Sequence, residues 1–285
     1  MTNEFEYSRS GGGICIEKYV GDQEAVIIPS EIEGMPVKAI GDRAFEYCEG
    51  LTNVTIPDSV IEIGAGSFAG CTRLINVDIP NSVTVIVGGT FEGCTALTDI
   101  NIPASVVSIG YQTFAGCTSL TSINLPDSVT EIGWGAFCSC EGLTDTNIPN
   151  SVKVIGTGTF SDCTGLTSIN LPDALIEIGD RAFAFCERLI DINIPDSVTE
   201  IGDHAFMFCE GLTSVNLSNS LTEIRGGTFR GCEGLTRIDI PDSVKYIEAF
   251  AFKGCTALVD VSVPDSAIIS SAAFEDCPNI RLRRR

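Results

Sequence analysis

One histidine, thirteen cysteines and 38 aspartates and glutamates are the side chains of this sequence that can catalyse or hold a metal. A hydrolytic triad needs a base oriented by an acid and aimed at a nucleophile. His204 stands beside Asp203, but no nucleophile converges on it. The glycines recur with a long fixed period instead of forming one phosphate-binding loop between a strand and a helix. The carboxylates recur in columns as well, so close pairs follow from the period itself. Calcium needs several oxygens meeting at one point, and a column spreads them out. The expectation is a non-enzyme with no catalytic residue, no cofactor and no metal site.

The cysteines obey a rule of their own. Cys48, Cys71, Cys94, Cys117, Cys140, Cys163, Cys186, Cys209, Cys232, Cys255 and Cys277 each follow a phenylalanine by three residues. Such a column packs as a set of small apolar side chains. Stacked chains lie about 4.8 Å apart, whereas a disulfide wants Cβ atoms about 3.8 Å apart with a twisted dihedral. A reduced packing ladder is therefore expected. Cys15 and Cys138 lie off the column and are the thiols expected to react. Cys138-Ser139-Cys140 has neither zinc nor redox spacing.

These residues ride on one repeat. Phe45, Phe68, Phe91, Phe114, Phe137, Phe160, Phe183, Phe206, Phe229 and Phe252 stand 23 residues apart, and Phe274 follows 22 later. A strict period of this length marks a stacked solenoid, here of about eleven coils. In Leu120–Gly142 two stretches alternate as half-buried strands do. They point Leu120, Ile123 and Leu125, then Val129 and Ile132, inward. Pro126 ends the first strand, having no N–H for the ladder. Asp127 and Ser128 are suited to satisfying turn amides, and Gly133 to the corner after the second strand. Ala-Phe-x-x-Cys reads as one helical or 3₁₀ turn. The fold expected is β-rich with short helical turns.

Residues 1–45 read as an N-terminal cap and atypical first coil, with strands at Ile14–Tyr19 and Glu24–Ile28 and an insertion at Glu31–Met35. Terminal units of solenoids differ because one face lacks a neighbour. Residues 46–280 are the repeats. Residues 281–285 are a basic tail, expected to fray as termini do. The net charge of −21 argues against nucleic acid or an anionic membrane as a general partner. No signal peptide is visible, and no run reaches the ~18 apolar residues of a membrane helix. A soluble chain is expected, and the Met1 start and reduced cysteines are compatible with the cytoplasm.

The motif P-x-S-V-x-x-I-G-x-x-A-F-x-x-C, repeated some ten times over residues from about 24 to 280, resembles the BspA-type leucine-rich repeats. The opening Gly12–Pro29 is similar to that family's first unit. The resemblance implies a right-handed, curved leucine-rich-repeat solenoid used for binding. It also implies a surface or secreted setting, adhesin-like recognition of proteins, and no shared catalytic residues.

Binding information must then lie in what varies on the frame. Outward positions of the first strand, such as Asn53/Thr55, Asp191/Asn193 and Ser214/Asn216, form a polar face. Glu62, Glu131, Glu177, Glu200 and Glu223 form a column on the second strand. Both suit solubility, and both also suit a protein, a glycan or hydrated cations. Exposed aromatics are the sharper signal, because interface hot spots are rich in them. Arg181, Phe185, His204, Met207 and Phe208 fall at corners of two consecutive coils, and Tyr111 and Trp134 form a second such pair. Tyr246 and Phe250 add aromatic surface near the C-terminus. Each cluster reads as a partner site or as local packing. The function expected is non-catalytic recognition of a protein or glycan, adhesin-like. The alternative is an intracellular scaffold or self-assembling subunit.

Overall fold

The computed structural model describes residues 4–285; the first three residues of the cap, Met1 among them, lie outside the described residues. The chain divides between Leu143 and Thr144 into two compact units. Each is a β-solenoid of stacked 23-residue coils. A coil contributes a first strand of three residues and a second of two, as in Asp191–Asn193 and Glu200–Ile201. Both stack in parallel and in register on the equivalents one coil on: Asp191 opposite Ser214, Glu177 opposite Glu200. The side chains expected inside, Leu120, Ile123, Leu125, Val129 and Ile132, are all buried.

The rings of the phenylalanine ladder lie parallel and offset, the preferred aromatic arrangement. Phe68, Phe91 and Phe114 follow one another at 5.6 Å in the first unit. Phe183, Phe206 and Phe229 follow at 5.3 and 5.5 Å in the second. Beside them nine of the column thiols donate to the carbonyl of the phenylalanine in the coil before, as Cys94 does to Phe68 at 3.2 Å and Cys209 to Phe183 at 3.1 Å. Burial pushes thiols inside the stack up, to about 12 for both Cys94 and Cys209.

The Ala-Phe-x-x-Cys segment is not helical, and residues 5–285 contain no helix. Two residues have positive φ in every coil but the last, for example Gly66 (60°) and Gly70 (70°) on either side of Phe68. A right-handed helix cannot pass through such residues. Instead, alternate amides bond across coils: Gly66 to Gly88 at 3.1 Å, Phe68 to Thr90 at 2.9 Å and Gly70 to Glu92 at 2.7 Å. The amides between them close tight turns, Ala69 onto Gly66 at 3.0 Å and Cys71 onto Phe68 at 3.2 Å.

The corner glycine and the post-proline serine have roles other than those expected. Gly64, Gly110, Gly133 and Gly202 do not have positive φ. They are needed because the preceding coil runs against them: a Cβ on Gly202 would lie 2.4 Å from the Asp180 amide nitrogen and 2.6 Å from the Gly179 carbonyl carbon. Gly202→Ala is therefore expected to force two coils apart and to cost about 2–3 kcal/mol, measured by urea denaturation. Where Val87 and Arg225 replace this glycine, the next two residues are both glycine. Ser105 and Ser128 donate to the Val83 and Val106 carbonyls of the coil before, each at 2.6 Å, instead of serving their own turns.

At the N-terminus β1 (Phe5–Ser10) and β2 (Gly13–Tyr19) form an antiparallel hairpin. Its turn residues Gly11 and Gly12 have φ of 57° and 74°, as a two-residue hairpin requires. The sequence showed β2 but not β1, because only Phe5 of β1 is buried. After β3 (Ala25–Ile27), the insertion forms a second hairpin of β4 (Glu31–Ile32) and β5 (Met35–Ile40). β2 pairs in parallel with β5, and Phe5 and Tyr19 close the aromatic ladder, Tyr19 stacking on Phe45 at 5.2 Å.

The C-terminal arginines do not fray. Arg281–Arg284 form a strand parallel to Asp260–Val263. Arg283 pairs with Asp260 at 3.1 Å, and Arg284 donates to the Asp265 carbonyl at 2.8 Å. Arg285 donates to the Ile240 carbonyl and pairs with Asp242 at 3.3 Å. Among the described residues no helix is long and apolar enough to cross a membrane.

Candidate binding surface

The left-handed positions beside each ladder phenylalanine define the surface. Glycine takes ten of these positions and other residues eleven; glycine meets positive φ without the roughly 1–2 kcal/mol that an L side chain costs there. Of the coils with two such positions, three have glycine at neither: that of Phe45, with Arg43 and Tyr47, and two consecutive coils further along. Arg181 and Phe185 have φ of 52° and 62°, and His204 and Phe208 have 59° and 56°. The cross-coil ladder brings them together: Arg181 N–H donates to Asp203 at 2.9 Å, and Phe185 N–H donates to Met207 at 2.7 Å.

Arg181 is exposed, and Phe185, His204, Met207 and Phe208 are half-buried. Phe185 stacks on Phe208 with centroids 5.3 Å apart. Phe208 in turn lies over Gly231, where a Cβ would sit 2.3 Å from its Cδ1, and His204 lies over Gly227 in the same way. The Arg230 guanidinium sits 5.8 Å from the Phe208 centroid, within cation–π range. Both faces of Phe208 are thus covered, and its edge is the part left to solvent.

Tyr111 and Trp134 stack at 5.0 Å and 11° in the other unit, Trp134 being 55% exposed. The Tyr111 ring fills the space above Gly88. Sequence reasoning missed Tyr47, which is 70% exposed at a left-handed position with its ring over Gly70. It also missed Arg230. The signal for Tyr47 was the column itself, because a large ring where the next three coils have glycine stands out once that glycine is known to be left-handed. Phe250, at φ 63°, has Lys253 5.3 Å from its ring.

Cys15 is not an activated thiol. Burial first, then Glu17, Glu62 and Asp42, push it up to about 11, so little thiolate forms at neutral pH. Cys138 is half-buried, with Sγ 3.6 Å from the Ser139 hydroxyl. Among the described residues no group of three His, Cys, Asp or Glu side chains is placed to hold a metal ion. The polar strand face is exposed, and a cleft in it is lined by Asn216, Asn219, Arg237, Asp239 and Arg285.

The model of the BspA type leucine rich repeat region matches residues 38–167 and 154–281. Among curated proteins none matches. A leucine-rich repeat protein of T. pallidum is 32% identical, with a TM-score of 0.62 over 75% of this chain and 90% of that one. One from Bacteroides ovatus is 28% identical, with a TM-score of 0.64 over 99% and 98%. A leucine rich cell surface protein of Faecalibacterium prausnitzii is 26% identical, with a TM-score of 0.52 over 99% and 93%.

Proposed function

The chain belongs to the BspA-type leucine-rich repeat family, and on that footing we propose that it is a non-catalytic recognition module that binds a protein partner, adhesin-like, at a cell surface. One observation carries the reading. Four bulky side chains, Arg181, Phe185, His204 and Phe208, hold all the left-handed positions of two consecutive coils, where glycine would carry no strain. Strain kept in a packed frame points to a use for the side chains that cause it. The surface setting is supported by the cell surface protein of Faecalibacterium prausnitzii. A glycan is the second ligand class, favoured by the polar cleft along Asn216, Asn219, Arg237 and Asp239.

The test compares wild type with Phe185→Gly and Phe208→Gly on immobilised extracellular matrix proteins and a glycan array. Glycine removes the ring and relieves the left-handed strain, so stability is expected to stay within about 1 kcal/mol. Partner affinity is expected to fall at least about tenfold, as for an aromatic hot spot. Unchanged binding would remove the patch from the binding surface. A large loss of stability would make the rings part of the fold.

A further inference from the structure

The aromatic patch carries unmatched positive charge in a strongly acidic chain. Seven of the ten arginines outside it pair with a carboxylate, as Arg73 does with Glu24 at 3.4 Å and Arg225 with Glu200 at 2.9 Å and Glu223 at 3.0 Å. Arg181 and Arg230 make no ion pair among the described residues. Asp180, next to Arg181 in sequence, instead accepts the Asp203 N–H at 2.8 Å. In a chain with 38 acidic residues against 17 basic ones, Arg230 lies over the Phe208 ring and Arg181 shares a turn with Phe185. Two guanidinium groups without an ion pair thus come from the turns that carry the aromatic pair or lie against it.

We infer that the partner is an acidic segment of another protein, presenting carboxylates to Arg181 and Arg230 and an apolar side chain to Phe185 and Phe208. It rests on the binding role proposed above and names the chemistry of the ligand. Guanidinium groups bind carboxylates through paired charge-assisted hydrogen bonds. The exposed ring edge of Phe208 carries the positive part of the aromatic quadrupole, so it too favours an acceptor oxygen. Two cations are too few to draw a nucleic-acid backbone to a chain of net charge −21. They are enough to set the register of a short acidic–apolar peptide, with charge guiding approach and the rings holding it.

The experiment selects binders from a random peptide display library on the full chain. Selected peptides are then titrated by fluorescence polarisation against wild type, Phe208→Gly and the double variant Arg181→Gln/Arg230→Gln. Enrichment of Asp and Glu around an apolar residue is expected. The arginine double variant should weaken binding at least about tenfold, and wild-type affinity should fall as salt rises. Peptides that need Phe208 but are not acidic, and ignore the arginine changes, would overturn the acidic partner and leave the patch standing. Peptides indifferent to Phe208 as well, or no enrichment at all, would overturn both. Heparin binding through the two arginines in place of peptide would overturn the protein partner.

Discussion

Raised from neutral pH to about 10 under reducing conditions, the protein is expected to unfold, with the cysteine column as the cause. Burial pushes the thiols of Cys71, Cys94, Cys117 and Cys140 up in one unit. It does the same to Cys186, Cys209 and Cys232 in the other. An unfolded cysteine ionises near pH 8.5. Above that value the unfolded chain gives up protons that the native column keeps, so stability falls as pH rises and is fully present below it. At pH ~10 each buried thiol costs about 2 kcal/mol, and several together match the whole stability of a domain, about 5–15 kcal/mol. Circular dichroism across a pH series reads the transition, and Cys94→Ala should reduce its steepness by about one proton. A native signal unchanged to pH ~10 would show that the column is open to water.

Phe206→Ala is the second large effect, at about 3–5 kcal/mol in chemical denaturation. The ring is fully buried between Phe183 and Phe229. Its neighbours cannot move in to fill the gap, because cross-coil bonds hold each rung: Phe183 N–H to Ala205 and Phe206 N–H to Thr228, both at 2.8 Å. The cavity therefore stays open, which is the expensive case. The last rung, Phe274, is half-buried, and the same change there should cost much less. A loss below about 1 kcal/mol at Phe206 would be incompatible with a rigid ladder.

The candidate surface was half legible. Phe185 and Phe208 could be picked out because aromatic residues at a repeated corner are out of place, and the period put them in neighbouring coils. Arg230 could not, since its relation to Phe208 depends on which way a ring leans across the stack. Tyr47 was hidden too, because its conspicuous position is conspicuous only once φ is known.

Residue types and a strict period were enough to show a solenoid, its inward Leu, Ile, Val, Phe and Cys, and its non-disulfide cysteine column. Burial follows side-chain chemistry, and the 23-residue spacing repeats the same demand in each coil. Backbone geometry lay beyond that information. The turn around each phenylalanine looked helical from its apolar spacing, but its amides bond to carbonyls in the next coil, and residues at positive φ allow it. Gly202 looked like a corner and is a contact, because the chain that excludes a Cβ there lies a full coil back in sequence. The C-terminal arginines looked like a loose end and form a strand, because Asp260 and the Asp265 carbonyl stand where they pass. In each case the deciding partner is remote along the chain, and only the stacking of coils brings it near.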